Sequence, residues 1–254
     1  MTVPTPSVPP RLRLLATGGT IAGVQTSGSE TGYQAAALTP AALVAAVPQL
    51  RALATLELET VACIGSQNMD DAVWLHLAAR VSAALAEPTI TGVVITHGTD
   101  TMEETAYFLN LALKTAKPVV LVGAMRPATA ISADGPMNLF NAVAVAAHPA
   151  AGGRGVLVVA NDEIHFAREV VKTNATQVGT FRSLPHGLAG LVDQGRVHWF
   201  GLPSARHTTA TPFEVAHATS LPRVEIIYAH AGMGRTLIDA AAHSGAEGLV
   251  IAGV

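Results

Sequence analysis

The sequence predicts an α/β protein: a larger N-terminal domain built on a mostly parallel sheet flanked by helices, then a smaller C-terminal α/β domain. Three observations predict it. Apolar runs rich in β-branched residues, such as residues 92–96 and 118–122, show no polar alternation, as strands buried on both faces do. Helical patterns separate these runs with a regular rhythm. Two of the strands run straight into turns that carry glycine and threonine, Gly18-Gly19-Thr20 and Gly98-Thr99. In an open α/β sheet such turns lie at the carboxyl ends of strands, where ligands bind.

The elements follow in order. Met1 to Pro10 is proline-rich, lacks a basic start followed by an apolar stretch, and reads as a loose tail. Arg13 to Ala16 is a strand that leads into a glycine turn. Pro40 to Val47 is alanine-rich and helical, with Thr39 as its N-cap. Leu56 to Ile64 alternates as a strand does, and Val73 to Leu85 has helical apolar spacing. The strand before His97 opens directly onto a helix over Glu103 to Leu113, with Glu103 and Glu104 in its first turn. Pro118 to Val122 is a strand, Asn138 to Ala147 a helix and Gly155 to Ala160 a strand. From Phe166 to about Val197 the pattern breaks into short strands. Ala205 to Pro212, polar and rich in Thr and His, reads as a linker, with a domain boundary near Thr211. Then Val224 to Tyr228, Gly234 to Ala242 and Gly248 to Ala252 read as strand, helix and strand. The predicted organisation is a flexible tail at 1–10, a catalytic domain at 11–210 and the start of a C-terminal domain at 211–254. A parallel strand normally needs a covering helix and further partners, so this second domain reads as incomplete.

Composition narrows the classes. The chain has 254 residues, half of them hydrophobic and 13% charged, which is enough for an ordinary packed core. Its net charge is −3 and it has no basic run, so nucleic acid and anionic membranes find no electrostatic partner. No stretch approaches the roughly 18 apolar residues of a membrane helix. Cytoplasm is the expected compartment, or periplasm if a signal precedes this numbering. Cys63, the one cysteine, follows a strand-like run and reads as a small core residue. The ten histidines are scattered, with no H-E-x-x-H, so no metal is expected. His97 reads as packing or a supporting hydrogen bond.

The chemistry concentrates in the turns. In Leu15-Ala-Thr17-Gly18-Gly19-Thr20-Ile-Ala-Gly23 two glycines let the backbone bend sharply and approach a ligand closely. The Thr20 hydroxyl is either a nucleophile or a cap on free N–H groups, and capping is the commoner use of Thr. The glycine spacing does not fit G-x-G-x-x-G, which weakens a nucleotide reading. Asp100, behind Thr99, either caps the helix or pairs with a substrate ammonium. Two such turns early in one sheet are hard to attribute to capping alone.

The two segments Thr17-Gly-Gly-Thr20-Ile-Ala-Gly23 and His97-Gly-Thr-Asp-Thr-Met-Glu-Glu104 together closely resemble the signature pair of the bacterial-type L-asparaginase/glutaminase family. The likeness continues through Gly65-Ser-Gln-Asn-Met69, Gly123-Ala-Met-Arg-Pro127, Ser132-Ala-Asp-Gly-Pro136 and Lys172-Thr-Asn174, and is greatest to the type II enzymes. It implies a flavodoxin-like N-terminal domain and hydrolysis of L-asparagine to aspartate and ammonia, with weaker action on L-glutamine and no cofactor. The other function class, a non-catalytic amino-acid-binding relative, stays open beside it.

The resemblance assigns roles. Thr20 attacks the side-chain amide and forms an acyl-enzyme, while Thr99 is a second catalytic hydroxyl coupled through Asp100 to Lys172. A threonine needs such a network because its hydroxyl is a weak nucleophile, and Lys172 would serve if desolvation lowered its pKa. Backbone N–H groups at the two turns, with Gly19 and Gly98, suit an oxyanion. Asp100 suits the substrate ammonium, and Gly65, Ser66 and Gln67 its carboxylate and amino groups. Tyr33, at the end of a glycine- and hydroxyl-rich loop, resembles the lid residue that closes over Thr20, and Ala124 the residue whose carbonyl lines the pocket. The implied assembly is a homotetramer of intimate dimers where the full C-terminal domain is present.

Overall fold

Parallel pairing between fully buried strands decides the architecture. The computed structural model describes residues 9–25 and 32–253, so the tail at 1–8, residues 26–31 of the predicted lid and residue 254 lie outside the description. In chain order the first elements are β1 (Arg11–Gly18), β2 (Val24–Gln25), β3 (Tyr33–Gln34), α1 (Pro40–Ala45), α2 (Leu50–Leu53), β4 (Thr55–Ile64) and α3 (Asp71–Ala86). Then come β5 (Ile90–Thr96), α4 (Met102–Ala112), β6 (Val119–Val122), α5 (Gly135–Ala147), β7 (Val156–Ala160), β8 (Glu163–Phe166) and β9 (Val170–Lys172). The rest are β10 (Phe181–Ser183), β11 (Gly190–Asp193), β12 (Arg196–Trp199), β13 (Val224–Tyr228), α6 (Thr236–His243) and β14 (Gly248–Ala252).

The main sheet runs β12-β11-β8-β7-β6-β5-β1-β4. The strands β4, β1, β5, β6 and β7 pair in parallel. β8, β11 and β12 extend the sheet antiparallel. Among the parallel strands the spatial order is second, first, third, fourth, fifth, the doubly wound order of flavodoxin-like sheets. It reverses at β1 and β5. A reversal leaves a crevice outside the carboxyl ends of the two strands, and both glycine–threonine turns stand there.

The strands lack polar alternation because both faces are covered. On one face Val94, Val120 and Val122 pack with Leu12, Leu14 and, from α5, Leu139, Ala142 and Val143. On the other, Val93, Ile95, Val119 and Leu121 pack with Leu77 and Val81 of α3 and Met102, Ala106 and Leu109 of α4. Local signals set the helix starts: Thr39 accepts a hydrogen bond from the Ala42 N–H at 3.2 Å, and Asp70 one from Val73 at 2.8 Å.

Two expectations need correction. Cys63 is exposed, not a core residue, because β4 is the sheet's edge strand, and its thiol donates to the Ala36 carbonyl at 3.2 Å. Residues 205–212 are not a free linker. Thr208 and Thr211 are buried, and Thr211 Oγ1 donates to the Leu111 carbonyl at 2.6 Å, while Lys114 Nζ donates to the Thr211 carbonyl at 2.7 Å. The Leu111 carbonyl, near the end of α4, is met this way, so polar side chains here do packing work.

The chain divides into two compact units, up to His217 and from Ala218. The second, taken by itself, is a parallel pair, β13 and β14, with α6. Ile226, Val250 and Ile251 of that pair are exposed. Among the described residues no helix is long and apolar enough to cross a membrane.

Candidate active site

Close backbone contact joins the two turns. Gly18 and Gly19 have φ of 108° and 80°, a region that favours glycine. A Cβ on Gly19 would stand 2.3 Å from Gly98 Cα, so only two glycines permit this approach. The Gly19 N–H donates to the Ile64 carbonyl at 2.9 Å, which ties the turn to the end of β4.

Thr20 opens a short 3-10 turn, Thr20–Ala22, whose N-cap is Gly19 with no side-chain cap. The capping reading of Thr20 therefore fails. The buried Thr20 hydroxyl instead lies 2.7 Å from the Tyr33 hydroxyl. Tyr33 comes from β3, which pairs with β2 just behind the turn, and its ring fills the space that a Cβ on Gly23 would need.

The second turn has a different set of partners. Thr99 is buried, and Lys172 Nζ donates to its Oγ1 at 2.9 Å and to Asp100 Oδ1 at 2.5 Å. Asp100 therefore does not cap α4; Thr101 occupies that position, and its Oγ1, which makes no cap bond, donates to the Ser66 carbonyl at 2.9 Å. Lys172 is only 12% exposed and Asp100 58%, so the pair lies at the mouth of the site with the ammonium on the inner side. His97 is fully buried, and burial pushes its pKa down to about 4. The neutral ring donates from Nδ1 to the Gly98 carbonyl at 2.6 Å, which leaves Nε2 without a partner among the described residues.

Ser66 and Gln67 stand behind β4 in a second 3-10 turn, Ser66–Asn68. Ser66 is buried, and its Oγ accepts the Asp100 N–H at 3.1 Å. Gln67 is exposed, and its amide folds over Gly65, where a Cβ would meet Oε1 at 2.5 Å. Ala124 is buried at the end of β6, next to Gly123, whose own Cβ would press on Thr99 Cγ2 and the His97 carbonyl. All eleven residues singled out in the sequence thus lie on segments that follow the carboxyl ends of β1, β4, β5 and β6, or on β3 and β9.

Three supporting residues escaped the sequence reading of roles. Glu103 accepts the Lys172 backbone N–H through Oε2, which fastens β9 to the first turn of α4. Asp134 accepts the Met125 and Arg126 N–H groups, both at 2.9 Å, and Asn138 donates to the Gly123 carbonyl at 3.0 Å. Asp134 and Asn138 are four apart at the start of α5, and that spacing on one helix face was the available signal. Among the described residues, no group of three or more His, Cys, Asp or Glu is placed to hold a metal ion.

Comparison with known proteins gives this geometry a lineage. The family model for the N-terminal part of asparaginase matches residues 11–204. L-asparaginase 2 of Bacillus subtilis (strain 168) is 48% identical over 245 residues, 96% of this chain and 65% of that protein. A glutaminase-asparaginase of Pseudomonas fluorescens biotype A is 46% identical over 241 residues, 94% of this chain and 66% of that protein. The crystal structure of a probable cytoplasmic L-asparaginase from Campylobacter jejuni superposes with a TM-score of 0.92 at 49% identity, covering 96% of this chain and 75% of that one. The chain spans about two thirds of the length of these curated relatives. One match holds both threonine turns, Tyr33 and Lys172, and the chain belongs to the asparaginase family.

Proposed function

We propose that the protein hydrolyses L-asparagine to L-aspartate and ammonia through an acyl-enzyme on Thr20, with weaker action on L-glutamine. One observation carries this reading: the Gly19–Gly98 contact brings together two buried threonine hydroxyls, each with its own proton partner. An acyl transfer needs one group to attack and another to move protons, and a lone threonine hydroxyl does neither well.

In this scheme Thr20 Oγ1 attacks the side-chain amide carbon, with Tyr33 accepting or relaying its proton. The carbonyl oxygen becomes an oxyanion, met by the backbone N–H groups of the two turns. Lys172, hydrogen-bonded to Thr99, delivers a proton through that hydroxyl so that ammonia leaves, and then helps water enter for deacylation. Asp100 holds Lys172 and meets the substrate ammonium, while Ser66 and Gln67 address the α-carboxylate and α-amino groups. Support comes from family membership, from the activities for which the relatives are named and from the partners of each hydroxyl. By the same family likeness the working form is a homotetramer of intimate dimers, which light scattering on the purified protein would test.

Ammonia release from L-asparagine and L-glutamine is the direct test. Release that disappears in Thr20→Ala supports the scheme. Release no greater than that of Thr20→Ala would leave a binding protein with an asparaginase fold.

A further inference from the structure

A second cavity lies in the larger unit, apart from the threonine turns. Its volume is about 210 Å³, and it is partly open to solvent, since Phe200 and Leu202 on its wall are exposed. None of its lining residues belongs to the open pocket around Asp100, Glu103 and Lys172. Phe166, Leu188, Phe200 and Leu202 form an apolar wall, and Arg154, Arg168 and Arg206 bring positive charge to the same space.

These arginines lack what others on the chain have. Arg11, Arg13, Arg80 and Arg182 each meet a glutamate. Arg154 donates instead to the carbonyls of Ala150, at 2.7 Å, and Gly201, and its guanidinium lies 4.0 Å from the Trp199 ring centre. Arg168 donates to the Tyr107 hydroxyl at 2.5 Å. Arg206 has no partner among the described residues. The lining has one carboxylate, Glu169, which is buried and paired with His186 at 3.1 Å. Partial burial lowers the pKa of Arg154, and burial, with the charge of Arg154 beside it, lowers that of His148.

We propose that this cavity binds a small organic anion, a carboxylate or phosphate on a compact apolar body. Arg206, with Arg168 beside it, grips the oxyanion, because the guanidinium fork matches both groups. Phe166, Phe200 and Leu202 take the apolar part. Arg154, held by carbonyls and by Trp199, stays fixed and supplies potential from behind. The proposal does not depend on the asparaginase reading, since Thr20, Thr99 and Lys172 take no part in it.

Calorimetric titration of the intact protein with hexanoate and, separately, with inorganic phosphate tests it. Saturable binding of hexanoate assigns a carboxylate ligand, and binding of phosphate alone assigns a phosphate ligand. Either affinity should fall about tenfold or more in Arg206→Ala, the scale of one charge-assisted contact, and should weaken as salt rises. The circular dichroism spectrum and thermal midpoint should be unchanged in Arg206→Ala, which shows that the variant is folded. The titration is repeated in Gln67→Ala, because hexanoate can also enter the threonine site through its carboxylate-binding groups. Binding lost in Gln67→Ala but kept in Arg206→Ala overturns the proposal, as does no saturable binding of either anion below about 10 mM.

Discussion

The two glycine–threonine turns follow adjacent parallel strands, β1 and β5, and look interchangeable in sequence. Their partners differ in kind. Thr20 is held by one phenol from the short β2–β3 pair next to it, and Tyr33 itself is 42% exposed. Thr99 is held by an ammonium that arrives from β9, some seventy residues later, fixed in turn by Asp100 and by the Glu103 contact to its backbone. The turn behind it is stiffened by a buried neutral imidazole. One hydroxyl therefore sits under a local, part-exposed cover, the other in a charged network fixed from several elements. In the proposed scheme that difference separates the attacking group from the proton-handling group.

The largest expected effect comes from deleting the attacking group. Thr20→Ala should lower kcat roughly 10⁴-fold or more, as loss of a nucleophile does elsewhere, with the thermal midpoint little changed. Lys172→Ala should cost somewhat less, on the order of 10³–10⁴-fold, the scale of a general acid–base group. If Thr99→Ala has the larger effect and Thr20→Ala leaves measurable turnover, the assignment of the two turns is reversed. Steady-state ammonia release by the three variants, with circular dichroism to check folding, decides this.

Acid should act next, through stability. Burial pushes the pKa of His97 down from 6.5 to about 4 in the folded chain, and His165 is likewise pushed down to about 4 by burial. Between those values the unfolded chain binds more protons than the folded one. Stability is therefore fully present above pH 6.5 and is lost as pH falls toward 4. At about 1.36 kcal/mol per pH unit, the loss is roughly 3 kcal/mol per histidine by pH 4. Urea unfolding between pH 7 and 4 checks it, and a flat profile across that window would show that neither imidazole is buried as a neutral ring.

Much of this was legible in the sequence, for a physical reason. Parallel strands buried on both faces must be continuous apolar runs, so residues 92–96 and 118–122 announce themselves, and glycine is the one residue that tolerates the Gly18–Gly19 backbone. What stayed hidden depended on pairing across distance. Nothing in the text around Cys63 shows that β4 is an edge strand, since that follows from the strand order. The polar run at 205–212 packs because Thr211 meets a carbonyl a hundred residues earlier, which no local pattern encodes. Glu103 reads as an ordinary first-turn acid until β9 folds back onto it. The motif residues were visible, with Tyr33 and Lys172 supplied by the resemblance; the groups that brace them, Glu103, Asp134 and Asn138, were not.

Tyr33→Phe is the smallest change and the one that speaks most directly to the contrast between the turns. It removes the polar partner that the Thr20 hydroxyl has among the described residues and leaves the ring, which is held against Gly23 independently of the hydroxyl. If the hydroxyl accepts or relays the Thr20 proton, kcat should fall about 10²-fold, the effect of losing one transition-state hydrogen bond, with KM nearly constant. A loss confined to KM would make Tyr33 part of the wall around the substrate, and the proton from Thr20 would then have to leave toward Lys172. The two turns would in that case share one proton route, and the double variant Tyr33→Phe/Lys172→Ala would be no slower than Lys172→Ala alone. Separate routes predict that the two losses compound.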